Sequence, residues 1–133
     1  MSKVLFGRSV HFTASHYYRV EAWDEATNLQ TFGDAATPHE HHWVVTCWFG
    51  GERDEHGMIV DLGHVDSVLN REVVNRFDGQ IINHAHPHFQ KHQPTTEELA
   101  ALLGEQLSSF FDPGCLTRVR VAESDDIFAE WCL

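Results

Sequence analysis

The sequence predicts an α+β domain, a four-stranded antiparallel sheet with two helices on one face, in the chain order ββααββ. Three observations predict it. Two stretches with strand patterning open the chain, two with helical spacing fill its middle, and two short alternating stretches close it. A chain of 133 residues has the size of one domain, spanning 1–133, and can build a hydrophobic core without staples.

In residues 4–14, Val4, Phe6, Val10 and Phe12 alternate with smaller or more polar residues, apart from Leu5, as on a half-buried strand. Residues 42–50 gather Trp43, Val44, Val45, Thr46, Trp48 and Phe49 before Gly50-Gly51 stops the run, the composition of a second strand. Between them, residues 17–38 are small and polar and read as a long loop. Asp61 can cap a helix whose core stripe is Leu62, Val65, Leu69, Val73 and Phe77. A second helix begins at Pro94-Thr95-Thr96-Glu97-Glu98. Thr95 and Glu98 have the spacing of a capping box, in which each side chain satisfies a backbone N–H of the other. Leu99, Leu102, Leu103, Leu107, Phe110 and Phe111 form its stripe, and Asp112-Pro113-Gly114 ends it. Residues 117–122 alternate Arg118 and Arg120 with Val119 and Val121, a third strand. Asp125-Asp126 make a turn into a fourth strand over 127–132. Such a sheet leaves edges that must be covered or paired. On so thin a sheet Trp43, Trp48 and Trp131 are expected to be poorly buried in one subunit.

A net charge of −11 repels a phosphate backbone and an anionic membrane surface, so neither nucleic acid nor membrane is an expected partner. The opening residues lack the apolar core of a signal peptide, and no run has the length of a membrane span, which predicts a cytoplasmic protein. The three cysteines, Cys47, Cys115 and Cys132, form no disulfide pattern and read as reduced thiols.

Eleven histidines are the first functional clue. His39-Glu40-His41 stands at the start of the second strand, where residues i and i+2 project to the same face and two imidazoles can reach one ion. A third ligand would give three histidines and an open position, a usual arrangement for catalytic zinc, and His16 at the end of the neighbouring strand is the best candidate. The same spacing also describes two surface histidines at a strand edge. His84, His86, His88 and His92 lie in a second cluster with Pro87, read as a loop. One of them, such as His84, could fold over the site as an acid or base, or the loop could simply be solvated. Glu123 ends the third strand, where a carboxylate can receive two parallel N–H donors.

These residues resemble the 6-pyruvoyltetrahydropterin synthase family, which includes the 6-carboxytetrahydropterin synthases of queuosine biosynthesis. The likeness runs nearly the whole chain in order. Phe12-Thr13-Ala14-Ser15-His16 is similar to the first zinc-ligand motif, and Asn28-Leu29-Gln30-Thr31-Phe32-Gly33 to the following loop. His39-Glu40-His41-His42-Trp43 stands where the family has His-Gly-His-Asn-Tyr. Gly57-Met58-Ile59-Val60-Asp61-Leu62 resembles the segment opening the first helix, and Phe77-Asp78 with Asn83 resembles Leu-Asp-His-x-x-Leu-Asn. Pro94-Thr95-Thr96-Glu97-Glu98-Leu99-Ala100 and Val121-Ala122-Glu123-Ser124 complete the series. The resemblance implies the tunnelling fold, in which three subunits close their sheets into a barrel and two trimers stack into a hexamer with active sites between subunits. It implies Zn2+ on His16, His39 and His41. It also implies a reduced pterin such as dihydroneopterin triphosphate, gripped by Glu123 with Thr95 and Thr96 at the ring's other edge.

The departures are as informative. The family's catalytic cysteine should follow Phe32-Gly33 by two residues, where this chain has Ala35. The histidine expected after Asp78 is Gly79, and Glu40 replaces the glycine between the zinc histidines. The resemblance therefore implies a zinc-dependent lyase with a changed proton-transfer set, in which Asp78, Glu40 or His84 takes over. The competing readings are a non-catalytic pterin-binding or regulatory homologue, and a zinc store or sensor using the histidine-rich loop.

Overall fold

The computed structural model describes residues 2–133. Strand β1 (Phe6–His16) pairs antiparallel with β2 (His39–Phe49), β2 with β3 (Leu116–Ala122), and β3 with β4 (Phe128–Cys132). The sheet is four-stranded in the order β1-β2-β3-β4 and is not closed within the chain. On β2 every odd-numbered residue from Trp43 to Phe49 is buried, while the even-numbered residues between them remain partly exposed. This period of two marks one covered and one open face. The covered face joins Phe12, Ala14, Trp43, Val45, Cys47, Phe49, Val119 and Val121 in one core with Val65, Leu69, Phe77, Leu99, Leu103 and Leu107 of the helices.

Those helices are α2, which begins as Leu62–Leu69 and continues through a π turn (Asn70–Val74) to Asn75–Phe77, and α4 (Thr96–Ser108). Asp61 Oδ1 accepts from Gly63 N at 3.0 Å and caps the first. Leu62, expected in the stripe, is exposed at 45% at the first position of the helix. Phe110 and Phe111 lie beyond the end of α4 and pack against the core from there. The stretch expected as a long loop contains α1 (Glu25–Phe32) and a 3-10 turn (Gly33–Ala36). This helix has no apolar stripe to betray it. It is organised by Asp24, which caps Thr27 N at 2.7 Å, and by buried Asn28, whose amide bonds both the N–H and the carbonyl of Val20. The loop expected over 84–92 holds the end of a short helix, α3 (Ile82–Ala85), and a 3-10 turn (Pro87–Gln90).

Trp43 corrects the expectation of poor burial, whereas Trp48 and Trp131 stay partly exposed. Trp43 is fully buried and its Nε1 donates to the Ala14 carbonyl at 3.0 Å. Trp131 lies over Gly104 of α4, where a Cβ would meet its ring. Trp48 is on the open face, with the Arg118 guanidinium 3.9 Å from its ring centre. The β1 edge is partly covered by the segment after α2. Gly79 N donates to the Thr13 carbonyl at 2.7 Å and Ser15 N to the Gln80 carbonyl at 3.0 Å.

Candidate metal centre

β1 and β2 both extend to the end at which the histidines stand. The ladder sets His16 opposite His39 and Ala14 opposite His41. His39 and His41 share the covered face, and His16 joins them from the neighbouring strand. The three ligating nitrogens lie within 4.8 Å of one another.

Second partners fix how these rings present themselves. His16 Nδ1 is 2.8 Å from the Pro94 carbonyl and His39 Nδ1 is 2.9 Å from the Thr37 carbonyl. A carbonyl can only accept, so each Nδ1 carries the proton and each Nε2 keeps its lone pair. His16 is fully buried and its Nε2 has no hydrogen-bond partner among the described residues. Burial, more than any neighbour, holds the His16 pKa below the ordinary histidine value and favours the neutral, ligating form.

Glu123, just beyond β3, comes to the same place. Its Oε2 accepts from the Thr96 hydroxyl at 3.1 Å and lies 3.6 Å from His16 Nε2 and 3.9 Å from His41 Nε2. Lone pairs of imidazole and carboxylate thus face one another, and only a proton or a cation reconciles them. An orphaned buried nitrogen, two carbonyl-oriented rings and an adjacent carboxylate fit a divalent metal ion of the zinc class. Tyr18 closes the wall, its ring 5.2 Å from that of His16. Burial, then the charges of Glu123 and Glu97, push its hydroxyl up to about 12, so it stays protonated.

The remaining expected residues lie elsewhere. The Thr95 hydroxyl accepts from Glu98 N at 3.0 Å as the cap of α4. The reciprocal half of the expected capping box is not made. The Glu98 carboxylate turns to His88 instead, at 2.9 Å. Asp78 is exposed at the β1 edge, where Oδ1 accepts from Thr13 N at 3.0 Å. His84 is exposed and its Nε2 meets the Tyr17 hydroxyl at 3.1 Å, in a cleft lined by Arg19, Asn83 and His92. Neither joins the three histidines in the same chain. Glu40 alternates with His39 and His41 and faces the open side of the sheet. Ala35 presents its carbonyl to Tyr18 N at 2.8 Å, and Gly79 has a φ of +73°, a backbone that disfavours a histidine. Sequence reasoning missed Tyr18, Pro94 and Thr37. The last two act through backbone carbonyls, which no residue type announces.

The family model for 6-pyruvoyl tetrahydropterin synthase matches residues 6–132. The chain belongs to this family. It is 27% identical over 122 residues to human 6-pyruvoyl tetrahydrobiopterin synthase, covering 90% of this chain and 84% of the human one. The structure of the Caenorhabditis elegans 6-pyruvoyl tetrahydropterin synthase superposes with a TM-score of 0.88 at 26% identity, over 100% of this chain and 97% of that one. A Plasmodium vivax 6-pyruvoyltetrahydropterin synthase, studied with its catalytic glutamate replaced by cysteine, shares the fold with a TM-score of 0.62 at 14% identity, over 96% and 97% of the two chains. The four-stranded antiparallel sheet with its helices is the tunnelling fold of these proteins. Among the described residues no helix is long and apolar enough to cross a membrane.

Proposed function

We propose that the chain is a zinc-dependent 6-pyruvoyl/6-carboxytetrahydropterin synthase homologue that binds a reduced pterin such as dihydroneopterin triphosphate, with altered or reduced lyase chemistry. The observation that carries this reading is the buried, unpartnered Nε2 of His16 beside His39, His41 and Glu123. When bound there, zinc supplies Lewis-acid polarisation of the pterin's side-chain hydroxyls. The other tasks fall to the chain. Pro94 and Thr37 hold the imidazoles in the ligating tautomer. Glu123, steadied by Thr96, accepts the paired N–H donors of the ring's guanidine-like edge. Thr95 and Thr96, at the start of α4, add hydrogen bonds to the ring.

Proton transfer falls to Asp78 and His84. Both are exposed and apart from the triad in one chain, so their reach to the substrate requires a neighbouring subunit. The assembly proposed is the hexamer of two stacked trimers with sites between subunits, in the cytoplasm. An uncovered sheet face and an outer β4 edge support it. The second reading, a non-catalytic pterin-binding homologue, is favoured by Ala35 and Gly79, which hold and tune no proton.

The test is incubation of the zinc-loaded protein with dihydroneopterin triphosphate, its dephosphorylated forms and sepiapterin, with products identified by mass. Turnover to a new product supports the enzyme. Tight binding without product supports the binding homologue, and absence of both overturns the pterin reading. Light scattering that gives a stable monomer at micromolar concentration would contradict the assembly.

A further inference from the structure

A second group of metal-type donors lies outside the centre just described. His88 Nε2 is 2.9 Å from Glu98 Oε2, and His92 Nδ1 is 3.8 Å from Glu98 Oε1. The two imidazoles stack nearly parallel, with centroids 4.2 Å apart and planes inclined by 14°. One ligand atom from each residue lies within 4.8 Å of the others. We infer that His88, His92 and Glu98 form a second, independent site for a divalent transition-metal ion of the zinc class.

Three features separate this group from a chance surface contact. Glu98 is the third residue of α4, and its expected role was to close the capping box. It leaves that bond unmade and presents one oxygen to each histidine. The stacked rings of His88 and His92 turn one nitrogen each toward that carboxylate, at 2.9 and 3.8 Å, so donors from two elements converge on one point. The histidines that do not take part are engaged elsewhere. His86 Nε2 meets Gln106 at 2.9 Å and its Nδ1 accepts from His88 N at 3.0 Å, while His84 meets Tyr17.

Two imidazoles and a carboxylate are a recurrent zinc set, with metal–ligand distances of about 2.0–2.2 Å and hence ligand–ligand separations of roughly 3.4 Å. Only half-buried and exposed side chains have to draw in to reach that spacing. The site keeps open positions for water and should exchange its ion more readily than the strand-borne centre. A bound ion would fasten the turn at His88 to the start of α4. That segment also carries Pro94, whose carbonyl orients His16, and Thr96, which holds Glu123. Lys91 lies exposed between the two histidines and reports on the fastening.

The experiment is a zinc titration of the full-length, chelator-stripped protein, read by calorimetry and by metal analysis after gel filtration. Wild type is expected to take up two ions per chain in a tighter and a looser step. His88→Ala with His92→Ala should lose the looser step and keep the tighter one. Glu98→Gln, which retains the backbone cap with Thr95, should also lose the looser step while thermal melting shows an intact fold. Zinc should slow tryptic cleavage after Lys91 in wild type and not in these variants. Saturation of wild type at one ion overturns the inference. So does a second ion that survives the paired histidine change, or a looser step that requires millimolar zinc.

Discussion

His16, His39 and His41 stand on two paired strands, whereas His88 and His92 stand on a 3-10 turn and the residues after it. On the strands the ladder itself sets the spacing. The side-chain period of two and the register of β1 against β2 bring three imidazoles together with no help from the metal. In the turn, nothing periodic aligns the rings, and a carboxylate from another element gathers them. The first group is shielded, with His16 wholly buried, and the second is open to water. Rigid, desolvated donors lose less freedom on binding than mobile exposed ones. The comparison teaches that the element carrying the donors, more than the number of histidines, sets how far they are preorganised.

The sharpest way to break this comparison is to remove two strand donors. His39→Ala with His41→Ala should abolish the tight zinc step altogether, and full occupancy in that protein would refute the assignment.

A second change tests what the strand-borne centre can do. Ala35→Cys with Gly79→His should raise 6-pyruvoyl- or 6-carboxytetrahydropterin formation far more than either change alone, within the roughly 10²–10⁴-fold typical of acid–base assistance. The gain comes at a cost, because Gly79 occupies left-handed backbone, where an L side chain is disfavoured by about 1–2 kcal/mol. Both proteins with Gly79→His should therefore melt at lower temperature. Wild-type turnover equal to that of the double variant would mean that another residue is the base, and Asp78→Ala and His84→Ala would identify it.

Glu123→Gln addresses the carboxylate beside the first centre. Loss of a charged, desolvated partner costs on the order of 2–5 kcal/mol, so pterin affinity should fall about ten-fold or more. Unchanged affinity, measured by fluorescence titration, would move the ring elsewhere. Gly104→Ala disturbs the core without touching a donor of either cluster. A Cβ there meets the Trp131 ring, and overpacking of this kind costs about 1–3 kcal/mol, readable by denaturant unfolding. Both zinc steps should survive it under folding conditions.

The smallest effect is expected at Asp24, which belongs to neither cluster. Its hydrogen bonds to Thr27 hold its carboxyl below the ordinary value of 3.8. The unfolded chain therefore takes up the proton first as pH falls. Stability from this cap is complete above that value and is lost as pH drops through the lower folded one. Asp24→Ala should melt at slightly lower temperature than wild type near neutral pH, with the gap closing in acid. A gap that persists below pH 2 would show that the charge is not what the cap uses.

Much of the fold was legible because its strands and main helices bury one face each. Alternation at Val119 and Val121, helical spacing at Leu99, Leu102 and Leu103, and the cap at Asp61 are direct consequences of that burial. Helix α1 was not, because buried Asn28 and a capping aspartate organise it where an apolar stripe was sought. The His-x-His pair on β2 showed itself through its period, and His16 through its place on the neighbouring strand.

By itself, the sequence determined which face of each strand is apolar, the family motifs in their order, and the absence of cysteine at position 35 and of histidine at position 79. Tertiary structure decided the rest. It chose Pro94 and Thr37 as the carbonyls that orient two imidazoles, brought Glu123 to the triad, and turned Glu98 from its own helix cap to His88. The reason is physical. Periodicity records burial, which is local and cumulative along a segment. A hydrogen bond between residues 78 positions apart, as between His16 and Pro94, is fixed only when the elements that carry them pack together.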